Sequence, residues 1–311
     1  MRLLLTSLCL GVSLATMPVA AEPLPPSPHG PDDRIGAMNH LSSEATRRAA
    51  RLVRLGKVYQ LGVVTDTKTP AYPGRTFQML VSQGGDGTGT PVGAHQITAN
   101  DDLLITWLGI GSQIDGFGHI GRAHVHYNGV HARDFVRPEG LLAFGTESIP
   151  PTATRGILLD MVKLLGSDPV PAGRAFNRKE IDAAAKAAGV TIGKGDVVLF
   201  HTGWLKMAQQ DPAAFIATQP GLGREGADYL AGLGVAMVGA DTAALEVIPF
   251  EKEDEPFAVH QILLTKHGVH ILESMNTAEL AEDGATEFLF TLGIPRFRGA
   301  VQMVVNPVVV R

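Results

Sequence analysis

Gly109-Ile110-Gly111-Ser112-Gln113-Ile114-Asp115-Gly116-Phe117-Gly118-His119-Ile120-Gly121 interleaves glycine with polar side chains as neither a regular strand nor a helix would. Gln113 and Asp115 stand two apart. In extended chain they share one side, with Cα atoms about 6.6 Å apart, suited to converging on one ion. Gly116 and Gly118 then let the backbone bend, so that His119 can swing back toward the same point. On pattern alone the stretch reads equally as a glycine-rich loop with a hydrogen-bonded Asp115 and a solvated His119.

A second polar group lies far downstream. In Phe257-Ala258-Val259-His260-Gln261-Ile262-Leu263-Leu264, His260 begins a polar pair on an otherwise apolar helix, and Glu273 closes the strand Val269-His270-Ile271-Leu272. A carboxylate directly after such a strand is costly to bury unless it is paired, protonated or bound to a cation. His260 alone reads as a satisfied core histidine; combined with Asp115 and Glu273 it reads as a metal ligand. Gln261 is an alternative ligand or a partner to one. His124 and His126 alternate ahead of Tyr127-Asn128-Gly129, a strand edge leading to a turn, either lining a substrate pocket or in solvent. His201 precedes Thr202-Gly203-Trp204 at the carboxyl end of a strand, where α/β proteins open their pockets. His267 and His270 read as turn and surface residues, and Phe117 and Trp107 as core aromatics or as platforms for a planar substrate.

Outward from these groups, apolar runs bounded by turn residues predict strands over 58–64, 103–108, 156–162, 197–202, 235–239, 269–272, 287–291 and 301–310. Helical spacing predicts helices from Ser42-Ser43-Glu44 to Gly56, over 177–188 with Asn177 and Glu180 as a capping box and Gly189 as the stop, and over 224–233 and 257–266. The span 66–94, rich in Gly, Pro and Thr, predicts one long irregular excursion. Intermingled strands and helices with short links predict a single α/β domain over 36–311, a mixed sheet flanked by helices.

The chain has 311 residues, 45% hydrophobic and 18% charged, with a formal net charge of −5. That balance argues against nucleic acid as a partner and leaves a small molecule as the expected one. Met1-Arg2, an apolar run over 3–15 and Pro18-Val19-Ala20-Ala21 ahead of Glu22-Pro23 are the three parts of a secretory signal peptide, 1–21. A membrane span needs roughly 20 unbroken apolar residues. This run is shorter and interrupted by Ser7, Ser13, Thr16 and Pro18, so the mature protein is expected to be exported, periplasmic or secreted, and free of the membrane. A proline-rich arm follows over 22–35. Cys9 is the one cysteine and lies in the leader. Disulfides, a thiolate nucleophile, iron–sulfur clusters and Cys-bound zinc are thereby excluded from the mature chain, and any metal must be held by nitrogen and oxygen.

Gln113-x-Asp115-x-x-x-His119, with His260-x-x-Leu263-Leu264 and Ile271-Leu272-Glu273 downstream, resembles the cyclase family of metal-dependent hydrolases, which includes bacterial kynurenine formamidase and isatin hydrolase. Asn39-His40-Leu41, Gly195-Asp196-Val197-Val198-Leu199, Thr202-Gly203-Trp204 and Val238-Gly239-Ala240-Asp241-Thr242 agree with it, over about residues 36–301. The resemblance implies a swivelling β/β/α-like fold with a β-barrel-like core flanked by helices. It also implies metal ligands at Gln113, Asp115, His260 and Glu273, and His119 as acid/base. The family motif, His-x-Gly-Thr-His-x-Asp-x-Pro-x-His, places its first His on Gly109 and its second on Gln113, with Ser112 and Phe117 at its Thr and Pro. One ligand is lost and another becomes an amide. The expectation is therefore one divalent ion, Mn²⁺ favoured over Zn²⁺ by the hard oxygens.

As chemistry, the resemblance implies hydrolysis of a carbon–nitrogen bond in a small cyclic amide or N-formyl substrate, with lactone or ester hydrolysis behind it. A non-catalytic exported metal- or ligand-binding protein and a metal-assisted lyase or dehydratase are the rival readings. Oligomers are common in the family, so a homodimer or larger is expected, with the arm before Arg34 and the run 301–310 as interface material.

Overall fold

The apolar runs read as buried strands gather into one sheet. The computed structural model describes residues 24–82 and 89–311, so the expected leader and its cleavage point lie outside the described residues. In chain order the strands are β1 (Val58–Gln60), β2 (Phe77–Ser82), β3 (Asp101–Thr106), β4 (Gln113–Asp115), β5 (Val136–Arg137), β6 (Gly140–Leu141), β7 (Thr152–Asp160), β8 (Ala175–Phe176), β9 (Val197–His201), β10 (Gly221–Leu222), β11 (Met237–Ala240), β12 (His270–Glu273), β13 (Glu287–Leu292), β14 (Gln302–Val304) and β15 (Val308–Val310). Nine of them pair in the order β1-β15-β13-β7-β9-β11-β12-β4-β14. Parallel β7, β9, β11 and β12 form the centre, and antiparallel strands complete both sides. The result is the expected mixed α/β architecture, a curled half-barrel sheet flanked by helices.

Uninterrupted apolar residues on the central strands follow from burial of both sheet faces. Ile157, Val198, Val238 and Ile271 enter one core, and Leu158, Leu199, Met237 and Leu272 the other. Each is shut from solvent, a burial that stabilises by about 1.5–3 kcal/mol per side chain. The helices Arg178–Ala188 and Arg224–Gly232 cover the first core through Ile181, Ala184, Ala227 and Leu230. The capping box is present: the Asn177 backbone N–H donates to Glu180 Oε2 at 3.1 Å, and left-handed Gly189 ends the helix.

The chain departs from expectation in several places: the helix expected to run to Gly56 ends at Ala50, and the strand expected over 58–64 spans only Val58–Gln60. The span 66–94 is not wholly irregular, because it contains β2, which pairs with β3 in an antiparallel ribbon with Met79 opposite Leu104 and Leu80 opposite Leu103. The run 301–310 is two strands, β14 at one sheet edge and β15 between β1 and β13. Asn306-Pro307 divides them, since proline cannot donate to a ladder; its carbonyl accepts from Leu61 N–H instead. Residues 156–162 do not end as strand: the Asp160 carboxylate accepts from Lys163 N–H at 2.8 Å and starts the helix Met161–Leu165.

The proline-rich arm is tied to its own chain. Asp33 accepts from Ser27 Oγ at 2.6 Å, Tyr127 Oη at 2.7 Å and Asn39 Nδ2 at 2.9 Å, while Asn128 Nδ2 donates to Gly30 O. Gly36, at φ +54°, then passes so close to Gly268 that a Cβ would lie 2.2 Å from its carbonyl oxygen. This contact seats the arm against the C-terminal end of the helical segment whose other end carries His260.

Candidate metal centre

β4 runs between β12 and β14, with Gln113 opposite Glu273 and Asp115 opposite Gln302. Strand alternation brings these four side chains to one face, while Ile114, Leu272 and Met303 pack in the core behind. His260 enters from the short helix Ala258–His260, which continues as a π-helix over Gln261–His267. One ligand atom each from Asp115, His260 and Glu273 lies within 4.8 Å of the others, and all three residues are buried. His260 Nε2 is 3.2 Å from Glu273 Oε1 and 3.6 Å from Asp115 Oδ2.

The other ring nitrogen has its own partner. Nδ1 of His260 is 2.5 Å from Glu246 Oε1, and the same carboxylate accepts from the backbone N–H groups of Val259 and His260 at the start of the helix. Glu246 thus holds the Nδ1 proton and aims Nε2 at Asp115 and Glu273, the arrangement that orients a metal-binding histidine. Sequence reading passed over Glu246. A lone carboxylate in Ala243-Ala244-Leu245-Glu246-Val247-Ile248 was the available signal.

Burial, reinforced by Asp115, pushes the Glu273 carboxyl up to about 7. Burial alone would lower the pKa of His260, but its bonds to Glu246 and Glu273 outweigh it and hold the ring well above the usual histidine range. Asp115 Oδ1 accepts from Gln302 Nε2 at 2.7 Å, whereas Oδ2 is buried with no hydrogen-bond partner. Three carboxylates crowd one imidazole in a buried site, and an orphaned carboxylate oxygen is costly. A divalent cation answers both, so the residues fit one. Gln113 reaches the cluster through Nε2, 2.6 Å from Glu273 Oε2 and 3.4 Å from Asp115 Oδ1. It is a donor here and offers an oxygen only after its amide turns over.

His119 follows in a turn closed by its own N–H on Gly116 O at 3.0 Å, with its ring centroid 6.2 Å from that of His260. Burial lowers its pKa despite the nearby Asp115 charge, which keeps the ring neutral at pH 7. Gly116 and Gly118 serve by compactness rather than by unusual dihedrals: a Cβ would lie 2.8 Å from Val301 O at the first and 2.4 Å from Leu141 Cδ1 at the second.

Gly109 has a neighbour that sequence reading missed. A Cβ there would meet Arg75 Nη1 and Gln302 Oε1, each at 2.6 Å, and Arg75 donates to the Gly109 carbonyl. The place of the motif's first His is therefore filled by a guanidinium and an amide. Arg75 also lies 5.5 Å over the Tyr72 ring. The Tyr72 hydroxyl is buried without a partner, and burial together with Glu273, Glu246 and Asp115 raises its pKa. A cleft of about 360 Å³ lined by Asp66, Thr69, Arg75, Phe77 and Ile110 opens at Arg75, and neither Tyr72 nor Asp115, His260 or Glu273 lines it. Tyr72, Arg75 and Gln302 carry no spacing signal, because only the folded chain brings them to β4.

The remaining candidates separate. Gln261 donates to Gly121 O at 3.1 Å and pins the loop after His119. Phe117 is buried between His270, stacked at 4.2 Å, and Tyr127, so it is a core aromatic. His126 is buried with Nδ1 2.8 Å from Phe117 O, while His124 is exposed and stacks on His131. His201 contacts Thr277 Oγ1 at 2.8 Å and Asp241 Oδ2 at 3.4 Å, beside a separate cavity. Trp107 is exposed just past β3. His270 is not a surface residue: it is buried, its Nδ1 meets Asp115 O at 2.9 Å, and burial takes its pKa down to about 4.

Comparison with known proteins bears on the family and the fold. The Cyclase family model, described as "Putative cyclase", matches residues 36–247. A crystal structure of a novel cyclase superposes with a TM-score of 0.82 at 27% identity, covering 91% of this chain and 96% of that one. Isatin hydrolase A from Ralstonia solanacearum gives 0.62 at 16% identity over 82% and 92%. A potential metal-dependent hydrolase with cyclase activity gives 0.51 at 18% identity over 81% and 98%. The last two, at such identities, share the fold alone. No curated protein matches the chain.

Proposed function

Because the chain belongs to the cyclase family, we propose that it is an exported metal-dependent hydrolase that cleaves a carbon–nitrogen bond in a small cyclic amide or N-formyl substrate. The observation that carries this reading is the buried Asp115, His260 and Glu273 group, with one carboxylate oxygen of Asp115 left without a partner. Those three residues hold the ion, with Gln113 in reach, and the oxygen-rich donor set favours Mn²⁺ over Zn²⁺. A cation bound there supplies Lewis acidity and makes water a nucleophile at neutral pH. An isatin hydrolase among the structural neighbours supports the choice of a cyclic amide. The leader-like residues 1–21 support export.

The chain's own groups divide the work. His119, neutral at pH 7, accepts the proton of the attacking water on its free ring nitrogen and returns it to the leaving nitrogen. Glu246 keeps the His260 Nδ1 proton in place, so that ring stays out of proton transfer. The Tyr72 hydroxyl, aimed at no protein group, donates to the substrate carbonyl oxygen as charge develops there. Arg75, anchored on Gly109, supplies a fixed positive charge beside it.

The test is turnover by chelator-stripped protein reloaded with Mn²⁺ or Zn²⁺, on a panel of N-formyl arylamines, cyclic imides and lactones. The reading expects metal-dependent products heavier by one water. Metal-loaded protein inert to the whole panel, or a product that gains no water, would sink it in favour of a binding protein or a lyase respectively.

A further inference from the structure

We propose that the groove between the segment 62–70 and the helical turns over 204–217 is a second small-molecule site, which takes a carboxylate carried on an apolar body. The groove has a volume of about 720 Å³, within the range of ligand pockets. None of Asp115, His119, His260 or Glu273 lines it, so it stands apart from the metal centre. Its apolar side follows from where β1 stops. Val58–Gln60 pairs with β15, but the next three backbone N–H groups turn elsewhere: Leu61 donates to Pro307 O, Gly62 to Asn306 Oδ1 and Val63 to Ser112 Oγ. An apolar run that would be buried in a strand is thereby led out of the sheet, and Val64 is 92% exposed. Val63, Val64, Pro70, Leu205, Phe215 and Ala278 line the groove. A ligand that covers them takes apolar surface out of water.

Charge identifies the rest of the ligand. Two lysines stand in the wall: Lys68 is exposed and makes no ion pair among the described residues, and Lys206 Nζ lies 2.6 Å from Asp168 Oδ1. Asp66 is the acid in the wall, and it is spent on its own turn. Its Oδ1 accepts from the Lys68 N–H at 2.7 Å, and its backbone N–H donates to Thr69 Oγ1 at 2.9 Å. Two ammonium groups beside one turn-bound carboxylate favour an anion. Gly111 belongs to the same wall, and a Cβ on it would lie 2.3 Å from Thr65 Oγ1, a buried hydroxyl without a partner. An acceptor brought to the wall there satisfies it. Inorganic phosphate would leave the apolar side unused, and an amine would face the lysines. A carboxylate on an alkyl or aryl body meets both sides.

Titration calorimetry of the purified protein with octanoate, octylammonium and acetate, each below any micelle concentration, tests this. Octanoate is expected to bind at about one equivalent, and the other two about ten-fold more weakly or worse. Lys68→Glu and Val64→Asp, both at exposed positions, are each expected to weaken octanoate by about ten-fold with an unchanged circular dichroism spectrum, while Lys68→Arg keeps it. Native protein that does not bind octanoate, an amine that binds as tightly, or an affinity untouched by both variants overturns the proposal. So does octanoate binding that is lost in a folded Asp115→Asn, Glu273→Gln double variant, which places the ligand at the metal centre, or in a folded Leu80→Glu, Ile105→Glu double variant, which places it on the ribbon. Should the groove variants not fold, amide exchange in native protein decides. Exchange over 62–70 and 204–217 is expected to slow when octanoate is added, and exchange that ignores octanoate overturns the proposal.

Discussion

Asp115 sends one carboxylate oxygen to Gln302 and leaves the other buried without a partner, while Glu246 clamps the far nitrogen of His260. These contacts separate holding the ion from moving the proton. Glu246→Ala is expected to weaken metal binding about 10–100-fold in a chelator competition titration, as loss of a partner to a metal-binding histidine does, with Glu246→Gln recovering part of it. His119→Ala is expected to keep its metal and lose about 10²–10⁴ in kcat. Unchanged turnover in that variant would remove His119 from the acid/base role. Spacing in the sequence exposed Gln113, Asp115 and His119, because two strand neighbours and a following turn are local facts. It could not expose Glu246, Tyr72, Arg75 and Gln302, whose closeness to the ligands arises only from tertiary folding. His270 was misread because a histidine at the start of an apolar strand looks the same in sequence whether its ring faces solvent or stacks on Phe117.

The arm, the strands and the ribbon show where element boundaries come from. Burial alone would raise the Asp33 pKa, but hydrogen bonds from Ser27, Tyr127, Ile35 and Asn39 together outweigh it and hold the carboxyl below its usual value. A carboxyl depressed in the folded state stabilises fully above its unfolded value of about 4, and that contribution is lost as pH falls through the folded value. Thermal melts from pH 6 down to pH 3 are expected to fall more steeply for native protein than for Asp33→Asn, which is less stable at neutral pH; parallel curves would contradict the clasp. Strands buried on both faces were readable as apolar runs, and the helix at Arg178–Ala188 as a capping box with a glycine stop. The ribbon at β2 was hidden because its apolar run is short and set among glycines and prolines. The break at Asn306-Pro307 was missed because valines on both sides mimic one continuous strand.

The whole fold serves to bring a strand at one third of the chain against a helix and a strand near its end. Asp115 and Glu273 meet because β4 pairs with β12, so an ion held by both would couple its binding to folding. An ion that binds the folded chain alone stabilises it by about 2.7 kcal/mol at a hundred-fold excess over Kd. Saturating Mn²⁺ is therefore expected to raise the Tm of stripped protein by about 5 °C. A melt indifferent to the ion would speak against the coupling.

Elemental analysis of purified protein, dialysed against Mn²⁺ and then against metal-free buffer, addresses the ion most directly. About one equivalent of divalent metal per chain is the expected result, with near-complete loss in a folded Asp115→Asn, Glu273→Gln double variant. Native protein that retains no metal, or a double variant that retains as much as the native chain, would contradict the account.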